Sequence, residues 1–304
     1  MSQINKSLCI IGASGFFGKS FISSFKNNLL KKYNISKIYC ISRNNKNINK
    51  NLLNFKKVFF IKANISNIKE LPIADYYIYA TESSDINKYQ KKRIVKIYYK
   101  CIKNFYELLI KLKKKDIKVI YLSSGSILKK KSQKYKNYNI VKKNSERVIK
   151  NLSYFKINAS IARCYTFIGE YLPLNKNFAI GSFIKDSIEK RFIKINSNFE
   201  VYRSFMYIDD FIEWIMKILT ASKKSSKTFD VGSDEIVEIG KVAEIISRLT
   251  NKKVLRPRIT IKRIDRYFPS VSKTKKIFDL KYNYNLIESI KTTLKKIKKN
   301  EKKN

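Results

Sequence analysis

Leu8-Cys9-Ile10-Ile11-Gly12-Ala13-Ser14-Gly15-Phe16-Phe17-Gly18 is the stretch that decides how this chain folds. Four apolar residues form a strand-like run, and three glycines follow at once. Phe17, Phe21, Phe25 and Leu29 then recur every four residues, the spacing of an apolar stripe on a helix. Strand, glycine triplet and helix in that order present backbone N–H groups at a helix N-terminus, where a dinucleotide pyrophosphate can sit. The bland alternative is a tight turn. Three of only eight glycines fall in these seven positions, and the strand and helix around them favour cofactor binding.

Outward from this stretch, short apolar runs alternate with longer helical stretches. The runs are Leu8 to Ile11, Lys37 to Ile41, Val58 to Ile61, Tyr76 to Ala80, Val119 to Leu122 and Ala159 to Ile161. This βαβ rhythm predicts an α/β fold, a Rossmann-type doubly wound parallel sheet. Residues 86–115 read as one long helix. Its apolar positions Ile94, Ile97, Cys101, Phe105, Leu108 and Leu112 are spaced by three or four, which leaves the lysines as a solvated face. After Arg163 the pattern loosens around Gly169, Pro173 and Gly181, then predicts a helix from Phe183 to Lys190 and a strand from Phe192 to Ile195. A second, smaller region begins there. Residues 291–304 hold many lysines and few apolar groups, so a frayed helix end and a basic tail are expected.

With 304 residues the chain is long enough for one large domain or two interleaved ones. Lys plus Arg total 66 against 23 Asp plus Glu, a net charge of +43. Such a balance suggests a polyanion partner. The excess is mostly lysine and comes with abundant Asn, Ile, Tyr and Phe, as an A/T-rich coding sequence would produce, so compositional drift is the competing cause. There is no histidine, which excludes Ser-His-Asp triads, His-ligated zinc and His general bases. Cys9, Cys40, Cys101 and Cys164 lie far apart with no CxxC spacing, pointing to reduced, buried thiols and a cytoplasmic setting rather than a disulfide or metal framework. No apolar run approaches membrane-spanning length, and the first residues lack a leader pattern. A soluble protein is expected, with neither membrane nor nucleic acid as a partner.

Without histidine, acid–base chemistry falls to Tyr, Lys, Ser, Asp or Glu. A Tyr-x-x-x-Lys pair on a helix can serve, because the ammonium one turn along lowers the phenol pKa and can reach a cofactor ribose. A chain with 20 tyrosines and so many lysines should hold about three or four such matches by chance. Three occur: Tyr33/Lys37, Tyr99/Lys103 and Tyr138/Lys142. Only Tyr138/Lys142 follows a strand ending in hydroxyls, Ser123-Ser124-Gly125-Ser126, and opens a helix toward the next strand. At the end of the second strand, Ile41-Ser42-Arg43-Asn44 offers no acid for a ribose, whereas Arg43 can accept a 2′-phosphate. The cofactor is therefore NAD or NADP, with a slight lean to NADP.

These residues resemble the extended short-chain dehydrogenases that act on nucleotide sugars, the NAD-dependent epimerase/dehydratase family, over most of the chain. The GxxGxxG spacing is similar to theirs. Tyr121-Leu122-Ser123-Ser124-Gly125-Ser126 looks like the strand ending SSGAVYG, and Tyr138-Asn139-Ile140-Val141-Lys142 with Glu146 looks like YGxSKxxxE. Arg163 to Gly169 is similar to RxFNxxGP, Arg203 to Asp210 to RxxxYVxD, and Phe229-Asp230-Val231-Gly232 to YNVG. Pro173-Leu174 and Ala179 to Ile184 look like PYLPL and AIGNFI, found in a subgroup from surface-polysaccharide gene clusters.

The resemblance implies that Tyr138 is the base and acid, Lys142 its electrostatic partner, and Ser124 the donor to the reacting oxygen. Gly12, Gly15, Phe16, Phe17, Gly18, Arg43 and Ala80, with Tyr138 and Lys142, would hold the cofactor. Glu82, Ser124, Thr166, Arg203 and Arg266 would meet the substrate, the arginines gripping its diphosphate through their planar forks. Departures from the family bear on the reaction. The 4,6-dehydratases carry Thr-Asp-Glu where this chain has Ser124-Gly125-Ser126, and the decarboxylases also carry a Glu there, so both activities are disfavoured. Glu82 could substitute as the carboxylate, or be a solvated loop acid. Thr166 replaces an Asn, Leu128 replaces the Tyr of SSGAVYG, and the stretch from Ser124 to Tyr138 is short.

The expectation is a Rossmann-type domain, 1–168 with 206–232, and a smaller C-terminal α/β substrate domain, 169–205 with 233–290. The activity implied is a nucleotide-sugar C4 epimerase or 4-ketoreductase in surface-polysaccharide sugar synthesis, working as a homodimer through the 86–115 and 138–150 helices. One alternative is a 4,6-dehydratase or decarboxylase with a substitute carboxylate. Another, of a different class, is a non-catalytic cofactor-binding scaffold with a basic RNA-binding surface; against it, the lysines are spread along the whole chain.

Overall fold

The computed structural model describes residues 5–45, 48, 50–83, 85–112, 114, 116–129, 133–174, 178–223 and 226–301. Its elements begin with β1 (Lys6–Ile11), α1 (Phe16–Lys26), β2 (Ile35–Ser42), α2 (Lys50–Leu53), β3 (Val58–Lys62) and β4 (Tyr76–Tyr79). Then come α3 (Lys92–Lys111), β5 (Lys118–Ser124), α4 (Lys136–Lys150), β6 (Asn158–Cys164), β7 (Phe167–Ile168), α5 (Ala179–Glu189), β8 (Phe192–Lys194), β9 (Glu200–Ser204) and β10 (Met206–Tyr207). The chain continues through α6 (Ile208–Thr220), β11 (Lys227–Val231), β12 (Ile236–Glu238), α7 (Ile239–Thr250), β13 (Lys253–Leu255), β14 (Ile264–Tyr267), α8 (Ser272–Phe278) and α9 (Leu286–Glu301). Two compact units result, residues 1–164 with 212–229, and 165–211 with 230–304.

The first unit is built on the seven-stranded parallel sheet, in the order β3-β2-β1-β4-β5-β6-β11. All six apolar runs read from the sequence are its strands. Leu8 to Ile11 are buried on both faces, as a parallel sheet covered by helices on either side requires. On one face Cys9, Ile11, Tyr77, Tyr79, Val119, Tyr121 and Ile161 pack with Ile102, Phe105 and Leu109 of α3 and Ile149 of α4. Strand β1 lies between β2 and β4, so the winding reverses beside it, and ligands of such sheets bind at that switch point beyond the strand ends. The expected 86–115 helix is interrupted. A 3-10 turn, Ile86–Gln90, comes first, capped by the Asp85 side chain accepting from the Asn87 N–H at 3.1 Å, and α3 starts only after Lys91, whose backbone is extended. All four cysteines are buried thiols, and burial pushes the Cys9 and Cys40 thiols up, away from reactivity.

The second unit holds small sheets. β9 pairs antiparallel with β12 and parallel with β14, and β8 pairs parallel with β13. Its end departs from the expectation of a tail: α9 runs to Glu301 because Ile290, Leu294 and Ile297, spaced by four and three, are buried along one side. Among the described residues no helix is long and apolar enough to cross a membrane, and no cluster of His, Cys, Asp or Glu could hold a metal.

Candidate active site

The glycine turn closes the C-terminal end of β1. The Gly12 and Ala13 N–H groups donate to the Ile41 carbonyl of β2 at 2.9 and 3.2 Å, and the Gly15 N–H donates back to Gly12 at 3.0 Å. Gly12 sits at φ +96°, and a Cβ there would lie 2.4 Å from the Ala80 carbonyl oxygen that follows β4. A Cβ on Gly18 would lie 2.5 Å from Ala13. Gly15 is the N-cap of α1, so the first N–H groups of that helix, from Phe16 onward, have no intrahelical acceptor. This cradle at the switch point, kept open by missing side chains, fits a dinucleotide pyrophosphate. Arg43 is exposed just beyond β2, and no acid stands near it in the 41–45 segment. Gly12→Ala should therefore lose cofactor binding at least tenfold and destabilise the fold by about 1–3 kcal/mol, from positive φ and contact with Ala80. Thermal unfolding and a titration with NADH check this, and a variant unchanged in both would make the turn merely a turn.

Two strands from β1, β5 ends at Ser124, which is buried. Its hydroxyl donates to Ser126 Oγ at 3.0 Å and accepts from the Ser126 N–H, and Ser126 Oγ donates to Asn139 Oδ1 at 2.9 Å. Asn139 is the neighbour of Tyr138, so this chain of hydroxyls ties the end of β5 to the first turn of α4. Tyr138 is half-buried, its ring edge-on to Tyr89 at 5.0 Å, and Tyr89 stacks on Tyr98 at 5.3 Å. Sequence reading did not single out these two aromatics, because both lay within what looked like one uniform helix.

Lys142, one turn after Tyr138, is buried, its Nζ 5.7 Å from the centre of the Tyr138 ring. The ammonium donates to the Leu122 carbonyl at 2.9 Å and to Glu82 Oε2 at 2.7 Å. Burial alone would push the Lys142 pKa down; the Glu82 carboxylate, helped by Tyr138, outweighs this and leaves it raised. The other two Tyr-x-x-x-Lys pairs form nothing comparable. Tyr33 lies in a 3-10 turn and donates to the Glu213 carbonyl while Lys37 lies in β2, and Tyr99 is exposed while Lys103 pairs with Glu107.

Glu82 corrects the reading of a solvated loop acid. Its side chain is 1 % exposed, and besides Lys142 it accepts from Tyr121 Oη at 2.5 Å and Ser145 Oγ at 2.7 Å. Burial and the Glu82 charge push the Tyr121 phenol up, which keeps it a donor. A carboxylate with both oxygens committed in this way is poorly placed as a substrate contact. Glu146 is structural: it accepts from Ser123 and binds Arg163 bidentately at 3.0 and 2.9 Å.

In the second unit Arg203 of β9 donates to Asp265 Oδ2 at 2.7 Å and to the Tyr202 and Asp265 carbonyls. Arg203 pairs across the ladder with Tyr267, and Tyr202 with Arg266. Directly paired residues share a face and neighbours alternate, so Arg203 and Arg266 point to opposite sides of the β12-β9-β14 sheet. The guanidinium contacts agree: Arg203 lies 6.0 Å from the Tyr267 ring and the exposed Arg266 lies 6.0 Å from the Tyr202 ring. One diphosphate held by both was the expectation, and this register does not bring them together. The buried Thr166 hydroxyl has no hydrogen-bond partner among the described residues.

Three solved structures are similar over nearly the whole chain. UDP-glucose 4-epimerase from Thermotoga maritima has a TM-score of 0.76 at 15% identity, covering 97% of this chain and 99% of that one. UDP-glucuronic acid 4-epimerase from Bacillus cereus, in complex with NAD, has a TM-score of 0.75 at 18% identity, covering 96% of each chain. dTDP-glucose 4,6-dehydratase from Bacillus anthracis, also in complex with NAD, has a TM-score of 0.77 at 18% identity, covering 98% of each. At these identities the likeness is one of fold. No curated protein matches the sequence. Residues 8–232 match the model of the NAD dependent epimerase/dehydratase family, a span that begins with β1 and ends on the glycine after β11 and so includes the glycine turn, Ser124, Tyr138 and Lys142. The chain belongs to the NAD dependent epimerase/dehydratase family.

Proposed function

We propose that this protein is an NAD(P)-dependent oxidoreductase of a nucleotide-diphosphate sugar that works at sugar C4, as a 4-epimerase or a 4-ketoreductase. The observation that carries the reading is the gathering of Ser124, Tyr138 and Lys142 at the end of β5 and the start of α4, at the same C-terminal end of the parallel strands as the glycine turn. Gly12, Gly15, Gly18 and the α1 N-terminus would hold the pyrophosphate of the cofactor, which when bound would accept and return a hydride in an epimerase, or arrive reduced and supply one in a ketoreductase. Tyr138 takes the proton of the sugar hydroxyl and returns it in the epimerase, or only gives a proton to the carbonyl oxygen in the ketoreductase; Lys142 stabilises the phenolate, and Ser124 donates to the reacting oxygen. Arg203 would meet a diphosphate only through the N–H groups left over from its bonds to Asp265 and the Tyr202 carbonyl, and Arg266 points to the opposite face of its sheet.

The dehydratases and decarboxylases of the family carry carboxyl groups where this chain has Ser124-Gly125-Ser126, which provides hydroxyls only. The substitute that a dehydratase or decarboxylase reading required, Glu82, is committed to Lys142, Tyr121 and Ser145. This favours redox chemistry at C4 without loss of water. The similarity to enzymes described with UDP-glucose, UDP-glucuronic acid and dTDP-glucose supports substrates of that class. The UDP-glucuronic acid 4-epimerase and the dTDP-glucose 4,6-dehydratase structures hold NAD, whereas the exposed Arg43 and the missing acid beside it lean toward NADP.

Denaturing the purified protein and identifying the nucleotide it releases is the first test. Retained NAD or NADH assigns a self-contained epimerase. NADP, NADPH or an empty site assigns an exchanging reductase, to be assayed next with 4-keto sugars. If neither UDP- nor dTDP-linked hexoses, uronic acids or 4-keto sugars change the cofactor absorbance or the sugar, the reading is wrong.

A further inference from the structure

The buried charges around Lys142 do not balance as a Tyr–Lys pair acting alone would. An unpaired ammonium beside a phenol favours the phenolate. Here a full carboxylate lies 2.7 Å from that ammonium, inside the fold, with Tyr121 and Ser145 holding it in place. Seen from Tyr138, the positive charge is replaced by a short dipole. We infer that Glu82 is a positioning residue that fixes the Lys142 ammonium against the Leu122 carbonyl and, by neutralising it, sets the pH at which the Tyr138–Lys142 pair works.

The other groups packed around the pair do not supply this charge. Tyr79 of β4, Tyr121 of β5 and Tyr89 before α3 are pushed up by burial and stay neutral across the working range. Tyr98 of α3 stacks on Tyr89, and Cys164 of β6 is a buried thiol. The nearby Arg163 and Glu146 close on each other bidentately. Glu82 is held from three directions, by a β5 phenol, an α4 hydroxyl and the α4 ammonium, which is the arrangement of a fixed charge rather than of a mobile loop acid.

The inference rests on Tyr138 being the proton-transfer group, yet its test needs no substrate. The near-ultraviolet tyrosinate absorbance of each protein is titrated against its Tyr138→Phe counterpart, so that the difference follows Tyr138 alone. Removing one charge lying just beyond the Lys142 ammonium, at an effective dielectric of about 20, moves such a midpoint by about one to two pH units. In Glu82→Gln the midpoint should fall by that amount, and in Glu82→Asp, which keeps the charge, it should stay near the parent. In Glu82→Gln with Lys142→Met both charges are gone, and the midpoint should remain within about half a unit of the parent. An unchanged midpoint in a folded Glu82→Gln protein overturns the inference. So does a rise of a full unit or more in the double variant, which also decides the matter where the single variant does not fold. Where turnover is measurable, the acid limb of kcat/KM should move with the tyrosinate midpoint. A midpoint that moves as expected in a protein that oxidises no nucleotide sugar leaves this inference standing and removes the proposed function instead.

Discussion

Tyr138→Phe should lower turnover of the nucleotide sugar about a hundred- to ten-thousand-fold, the range lost when a positioned general acid–base group is removed. The variant keeps the ring, and with it the edge-on contact to Tyr89 and the position of Lys142 above the ring face. Only the hydroxyl goes. The thermal midpoint and the affinity for the cofactor should consequently stay close to those of the parent, so that the loss falls on the chemical step. Steady-state kinetics beside thermal unfolding and a cofactor titration separate these effects. A loss of tenfold or less would mean that proton transfer lies elsewhere, and Ser124 or Ser126 would be the next hydroxyls to remove.

The second large effect is on stability. Lys142→Met should cost about 3–5 kcal/mol, because it leaves the Glu82 carboxylate buried without its cation. Glu82→Gln placed in the same chain should restore most of the loss, since two neutral side chains of similar volume can share hydrogen bonds with Tyr121 and Ser145. Denaturant unfolding of both variants at pH 7 checks it. Equal stability of the single and double variants at pH 7 would show that Glu82 is not the uncompensated charge.

Much of the site was legible before any coordinates. The glycine triplet needed only its neighbours in sequence, a strand before and a helix after, because the turn is local and its chemistry is that of a helix N-terminus. Tyr138/Lys142 could be chosen over Tyr33/Lys37 and Tyr99/Lys103 because an i, i+4 pair and a preceding hydroxyl strand are also local. What could not be read locally was charge pairing across the sheet. Glu82 and Lys142 are 60 positions apart, and nothing in Ala80-Thr81-Glu82-Ser83 distinguishes a buried acid from a solvated one. The same limit explains the arginines: Arg203 and Arg266 were both visible as phosphate-type residues, but which side of a sheet each faces depends on the register between β9 and β14.

The sequence by itself therefore determined the doubly wound sheet, and it was enough to pick out the glycine turn and the Tyr138/Lys142 pair as candidates, because periodicity, glycine placement and one-turn spacing act within a few residues. Tertiary structure alone decided that Glu82 pairs with Lys142, that Tyr89 and Tyr98 back Tyr138, and that the lysine-rich C-terminal stretch is a packed helix. Each of these depends on which distant side chains share a dehydrated space, and both burial and the Coulomb energy of a pair are set by that proximity in space.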